Sequence, residues 1–170
     1  MRFFFSLILI LLSCVMHSQN DLAELLQQHN NHNVPYISVQ ELAMPKTNTI
    51  IFDTREFEEY QISRIANSIF VGYNTFDINQ ATLHLKDKHQ AIVVYCSLGI
   101  RSEKIAQQLQ KAGYTSVYNL YGGIFEWKNA DFTIVDSDGY PTDNVHAYSE
   151  AWSKWLLKGT KVYGPILNKI

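Results

Sequence analysis

Cysteine is scarce, with 2 residues in 170, too few for a disulfide scaffold or a four-thiolate zinc site. Proline and glycine are few as well, 4 and 8, while 46% of the chain is apolar. That excludes a collagen, a low-complexity linker and a disordered tail. Charge of neither sign dominates. Lys and Arg number 14 against 16 Asp and Glu, a net −2, so no basic excess exists to neutralise a phosphate backbone and no nucleic-acid partner is expected. The uncharged stretch Phe3 to Leu12 falls short of the about 20 residues of a membrane-spanning helix. What remains is one globular domain able to bury a core without staples, with an appendage.

The stretch Phe3 to Leu12 follows a basic start, Met1-Arg2, and polar residues begin at His17. This is the layout of a signal peptide over residues 1–18. Two endings remain open. Leu11-Leu12-Ser13-Cys14 is similar to a bacterial lipobox, in which Cys14 would be lipidated and attach the chain to a membrane, although a small residue is usual where Leu12 stands. Ordinary cleavage after Ser18 is the other. Both lead to an exported bacterial protein, either periplasmic or a membrane-anchored lipoprotein. Both also leave Cys96 as the free thiol, to be read as reactive or as a buried, inert cysteine.

Residues 19–35 read as a short helix, Asp21 to Gln28 with Asp21 as its cap, and a polar connector. His29 and His32 stand three apart with no third ligand close by, so no metal site is assigned. Residues 36–130 alternate short apolar runs with helical patterns. Ser38 to Glu41 fits a capping box. Thr49 to Phe52, Ser68 to Val71, Ala91 to Tyr95 and Ser116 to Leu120 read as strands. Arg55 to Gln61, Ser102 to Ala112 and Gly122 to Lys128 read as helices, with Gly113 stopping the second. Such alternation predicts an α/β fold with a parallel central sheet of about five strands and helices on both faces. Sheets of this kind bind ligands beyond the carboxyl ends of their strands, which is where Cys96 stands.

Cys96-Ser97-Leu98-Gly99-Ile100-Arg101-Ser102 joins a buried strand to a helix. A loop so placed can turn backbone N–H groups inward, and the helix adds its own unpaired amides and dipole. Gly99 tolerates the positive φ of a tight cradle, and Arg101 contributes a permanent charge. Cys96 should ionise easily there, and the thiolate is the nucleophile. No histidine neighbours it in sequence; the nearest before it is His89.

Cys96-x-x-Gly99-x-Arg101-Ser102 resembles the active-site loop of rhodanese-like sulfurtransferases. Ile50 to Phe57 with Glu59-Tyr60 resembles the family's N-terminal motif. Gly113-Tyr114, Val117 to Leu120, Gly122-Gly123-Ile124 and Trp127 resemble its C-terminal one. Where the family often has Gly-His-Ile, this chain has Ser63-Arg64-Ile65. The resemblance implies a sulfurtransferase with Cys96 as the catalytic nucleophile and Ser97, Leu98, Gly99, Ile100, Arg101 and Ser102 around the substrate. It implies no cofactor and no metal. Sulfane sulfur would pass from thiosulfate or a persulfide, through a Cys96 persulfide, to a thiol or to cyanide. Asp53 and Arg55 match positions read as structural, with Arg55 expected to pair with Glu56, Glu58 or Glu59. The alternative reading is a non-catalytic rhodanese-like module that binds a partner or carries sulfur as a sensor. Phosphatases with a similar cradle place one residue more between Cys and Arg than the four here, which argues against phosphate chemistry.

Residues 131–170 fall outside these motifs. Phe132 to Val135 could be a strand, and Asp136 to Gly139 is a turn without the spacing of a calcium loop. His146 to Lys158 reads as an amphipathic helix with Tyr148, Trp152, Trp155 and Leu156 on one face. Such a helix would either pack on the domain or wall the site, placing His146 or a tryptophan over Cys96.

Overall fold

The computed structural model describes residues 22–45 and 48–164. The signal-like segment, Cys14 and the expected cap at Asp21 lie outside the described residues. The chain divides into two units, Met1–Asn31 and His32–Ile170. In the first, helix α1 spans 22–29. Leu22 and Leu26 are buried and Leu25 is half-buried, the single apolar face their spacing predicts.

The second unit runs β1 (Tyr36–Ile37), α2 (Val39–Ala43), β2 (Ile50–Asp53), α3 (Phe57–Ile62), β3 (Arg64–Ile65), β4 (Ile69–Phe70) and α4 (Ile78–Thr82). It continues through β5 (Ile92–Tyr95), α5 (Ile100–Lys111), β6 (Val117–Leu120) and α6 (Gly123–Asn129). Five of these strands form one sheet in the order β1-β6-β5-β2-β4, each neighbouring pair parallel. The expected parallel sheet with helices on both faces is therefore present. β5 is its central strand, and all four of its residues are buried, as a strand covered on both faces requires. Ile92 and Val94 pack with Phe52, Ile105, Ala106 and Leu109 in one core. Full burial stabilises each large apolar side chain by about 1.5–3 kcal/mol.

Local signals place several of these elements. Ser38 Oγ accepts the Glu41 N–H at 3.2 Å while Glu41 Oε2 accepts the Ser38 N–H at 2.9 Å, the reciprocal box that starts α2. Gly113, at φ +92°, ends α5: its N–H reaches the Gln110 carbonyl and the Tyr114 N–H reaches the Leu109 carbonyl, the two bonds of a Schellman motif.

The appendage holds β7 (Ile134–Val135), β8 (Pro141–Thr142), β9 (Asn144–His146), the short helix α7 (Glu150–Ser153) and β10 (Thr160–Val162). The long helix expected from His146 to Lys158 is not formed. His146 ends β9, which pairs parallel with β10. Tyr148 stands at φ +62°, Ser149 caps α7 by accepting the Trp152 N–H, and Leu156 is buried beyond the helix end. The apolar spacing belongs to a turn, a single helical turn and a loop, in which Leu156 is buried, Trp152 and Trp155 are half-buried and Tyr148 is exposed.

Two further features tie the appendage to the domain. β3 pairs antiparallel with β7, so Arg64-Ile65 of the departing segment Ser63-Arg64-Ile65 serves as a strand that receives the C-terminal chain. Arg64 adds a hydrogen bond to the Ser137 carbonyl at 3.1 Å. α3 packs against β9. The turn at Asp136 is held by its own carboxylate, which accepts the N–H groups of Asp138 and Tyr140 at 3.0 Å each.

Candidate functional site

Cys96 leaves the carboxyl end of β5, and Gly99 caps α5 at φ +104°. That conformation bends the loop back, so the Gly99 N–H donates to Cys96 Sγ at 3.1 Å. A Cβ at Gly99 would sit 3.2 Å from the Leu120 carbonyl oxygen; both φ and space therefore favour glycine. The Ser102 hydroxyl lies 3.5 Å from Sγ. Burial alone would push the Cys96 thiol up. The Arg101 charge, the Ser102 hydroxyl and the amides of Ser102 and Gly99 outweigh it, and the thiol falls below its ordinary value.

The loop is held from outside by two elements. α6 aims its first free amides at the loop: the Ile124 N–H donates to the Cys96 carbonyl at 3.0 Å and the Phe125 N–H to the Ser97 carbonyl at 3.2 Å. A helix start thus keeps two carbonyls away from the sulfur. Gly123 makes this approach feasible. A Cβ there would overlap the Cys96 carbonyl oxygen and sit 2.7 Å from that of Ser97. From β6, Asn119 Nδ2 donates to the Gly99 carbonyl at 2.7 Å and Asn119 Oδ1 accepts the Ser102 hydroxyl at 2.7 Å.

Arg101 does not stand free. Its Nη1 and Nη2 meet Glu59 Oε2 and Oε1 at 2.7 and 2.8 Å, a two-pronged pair. Ser97 Oγ donates to Glu59 Oε1 at 3.0 Å and accepts from Arg101 Nη2 at 3.0 Å. Burial would raise the Glu59 carboxyl, but Arg101 brings it down to about 2, so Glu59 is ionised at neutral pH. Glu59 Oε2 also accepts the Glu56 N–H at the start of α3. Leu98 is buried and Ile100 half-buried.

Asp53 and Arg55 lie beneath this layer, both fully buried. Arg55 does not pair with Glu56, Glu58 or Glu59 through a hydrogen bond. Its own N–H turns back to Asp53 Oδ1 at 3.0 Å, so the guanidinium binds the Asp53 carboxylate, with Nη2 at 2.6 Å, and the Ser63 carbonyl. Glu59 is already taken by Arg101. Asp53 also accepts the Tyr95 hydroxyl at 2.6 Å, which ties β2 to β5 just before the loop.

The structure brings Cys96, Ser97, Gly99, Arg101 and Ser102 together as the sequence suggests. Sequence reasoning did not assign Glu59, Asn119, Gly123 or Tyr148 to the site. Asn119, a polar residue in a buried strand, was the readable signal. His146, expected on a helix, is fully buried in β9, with its ring nitrogens facing the Tyr148 and Gly164 N–H groups. Tyr148 stacks its ring on Arg101, 4.8 Å from the guanidinium carbon.

The family model for the rhodanese-like domain matches residues 38–130. The chain belongs to the rhodanese-like domain family. It is 34% identical over 83 residues to the thiosulfate sulfurtransferase GlpE of Coxiella burnetii, covering 49% of this chain and 75% of that protein. It is 36% identical over 87 residues to the tRNA uridine(34) hydroxylase of Prochlorococcus marinus, covering 47% of this chain but only 28% of the hydroxylase. The fold matches the crystal structure of the BH2092 protein from Bacillus halodurans with a TM-score of 0.55 and 22% identity, over 62% of this chain and 79% of that one. This rhodanese-like domain ends short of the appendage, so β7 to β10 lie outside the matched region.

Proposed function

We propose that Cys96 accepts a sulfane sulfur and holds it as a persulfide for transfer to a thiol. The observation that carries the reading is the Cys96 sulfur, drawn toward the thiolate by the Gly99 N–H at 3.1 Å and by Arg101. The thiolate attacks the outer sulfur of a donor. A bond forms between Sγ and that sulfur, the bond to the donor's inner atom breaks, and the inner atom leaves with the electron pair. The acceptor thiolate repeats the exchange on the Cys96 persulfide, so the cycle needs no oxidant. The same amides would steady the anionic terminal sulfur in both halves.

Donor choice follows from charge. Arg101 is the one cation of the loop, and Glu59 offsets it. A dianion such as thiosulfate gains less from a cation already paired with a carboxylate, which favours persulfide donors. The relatives bear on the general chemistry: GlpE is named a thiosulfate sulfurtransferase, and the hydroxylase shares the same domain in a longer protein.

A second reading, a carrier, sensor or binding module without turnover, is favoured by the burial of Cys96, which is 2% exposed. Intact mass spectrometry after incubation with thiosulfate or with a small-thiol persulfide, followed by cyanide, separates the two. The transferase reading expects gain of one sulfur atom, its release as thiocyanate, and neither in Cys96→Ser. Uptake without release supports the module, and no uptake from either donor overturns both sulfur-bearing readings. The signal-like residues 1–18 support an exported, periplasmic or Cys14-anchored protein; the mass of the N-terminal peptide from its native host tests this.

A further inference from the structure

Tyr148 lies in the appendage, outside the residues matched by the family. The Ser149 N–H reaches back to the Ala147 carbonyl at 2.8 Å, and Tyr148, the residue between, has φ +62°. This is a γ-turn of positive φ, a rare and strained form, at a bulky residue that seldom adopts it. Strain of this kind persists only where the surroundings enforce it. Here they do. Ala147 is fully buried, and its N–H is bound by the Val162 carbonyl at 2.9 Å. The Tyr148 N–H points at His146 Nδ1 at 3.2 Å. His146 Nε2 faces the Gly164 N–H, also at 3.2 Å, and a neutral imidazole accepts only one of the two at a time.

The outcome of this arrangement is a ring laid on the Arg101 guanidinium, 4.8 Å from its central carbon, with 38% of Tyr148 still exposed. A residue that served core packing would be buried. Arg101 has its edge on Glu59 and Ser97, and the ring takes a face. Cation–π contact and exclusion of water both keep the guanidinium in one place.

We propose that Tyr148 is a positioning residue of the Cys96 site: from the appendage it fixes Arg101 and, through Arg101, the loop that carries the thiol. The inference deepens the reading of Cys96 as the sulfur-bearing thiol and rests on it. The ring comes from a segment beyond the matched domain. With the ring gone, water reaches the guanidinium, screens its charge and leaves the Cys96 thiolate less favoured. The charged and titratable groups that act on Arg101 are Glu59, Cys96 and the Tyr148 phenol itself, with Arg55 and the buried His146 near Glu59.

The test is the pH dependence of iodoacetamide alkylation at Cys96, resolved by peptide mass spectrometry on the full chain, for wild type, Tyr148→Phe, Tyr148→Ala and Tyr148→Gly. Tyr148→Phe keeps the ring and should keep the wild-type midpoint. Tyr148→Ala and Tyr148→Gly should both move the midpoint upward by about half a pH unit or more. Tyr148→Gly also relieves the backbone strain, so its melting temperature should equal or exceed that of Tyr148→Ala, which separates loss of the ring from loss of fold. A wild-type midpoint in both Ala and Gly variants overturns the proposal. So does an equal upward shift in Tyr148→Phe, which would assign the effect to the hydroxyl. Alkylation needs no sulfur donor, so this result stands apart from whether Cys96 takes up sulfur.

Discussion

Glu59 faces Arg101 with both carboxylate oxygens, at 2.7 and 2.8 Å, and is itself fully buried while Arg101 remains 15% exposed. The pair joins α3 to the start of α5 and fixes the direction of the positive side chain that favours the Cys96 thiolate.

Acid should undo this link. The Glu59 carboxyl, held at about 2, lies below its ordinary value near ~4.3. A depressed carboxyl contributes stability that is full above the ordinary value and is lost as pH falls toward the folded one. The share is on the order of 3 kcal/mol. In urea unfolding, Glu59→Gln is expected to lie about 3 kcal/mol below wild type at pH 7. At pH 3 the gap should narrow, because the wild type then loses what the variant never had. A gap independent of pH would refute the depressed Glu59 carboxyl.

Gly123 and Gly113 both have positive φ, +56° and +92°, yet they should respond differently to alanine. At Gly123 a Cβ meets the Cys96 and Ser97 carbonyls, whereas at Gly113 nothing lies within 4 Å. Gly113→Ala should lose about 1–2 kcal/mol from backbone strain alone and keep Cys96 reactivity. Gly123→Ala must push the loop off the start of α6. We expect a larger loss of stability together with at least tenfold slower alkylation of Cys96, read from thermal melts and from alkylation rates at one pH.

The contrast between these glycines shows how far the sequence could be read. Gly113 was legible as a helix stop because its partners, Gln110 and Leu109, are local. The strands and the Cys96 loop were legible for the same reason: periodicity and loop chemistry are properties of neighbouring residues. Gly123 acts on a carbonyl 27 positions away in the chain, and Glu59 acts on a cation 42 positions away, so their roles exist only once β2, β5 and β6 are aligned. Arg55 shows the same limit in reverse. Proximity in sequence suggested three glutamates, but an N–H bonded to Asp53 folded the side chain inward. At His146 to Lys158 the apolar spacing matched a helix while a positive φ at Tyr148 broke it.

The appendage should be part of the fold and not a removable tail. Ile134 is fully buried and pairs with Ile65, and Val145 and Ala147 are fully buried as well. Ile134→Ala is expected to lose about 2–5 kcal/mol in denaturant unfolding, as other buried large-to-small changes do. Removal of all residues after Lys128 should abolish soluble expression; a soluble, folded product would show that β7 to β10 merely decorate the domain.

Ser102 offers the sharpest test of how the thiol is tuned. Its hydroxyl carries one proton and has two claimants, Asn119 Oδ1 at 2.7 Å and Cys96 Sγ at 3.5 Å. While Cys96 is a thiol, the shorter bond holds the proton on the Asn119 side. Ionisation turns the sulfur into the stronger acceptor and draws the hydroxyl toward it. Ser102→Ala removes that response, so the Cys96 alkylation midpoint should rise. The same change strands Asn119 Oδ1 without its donor, which costs about 1–3 kcal/mol of stability for a buried acceptor. Ser102→Thr keeps the hydroxyl and should preserve the midpoint even if packing of its added methyl lowers the melting temperature. A midpoint that tracks the melting temperature through both variants would instead place Ser102 among the structural residues, leaving Arg101 and the Gly99 and Ser102 amides as the groups that favour the thiolate.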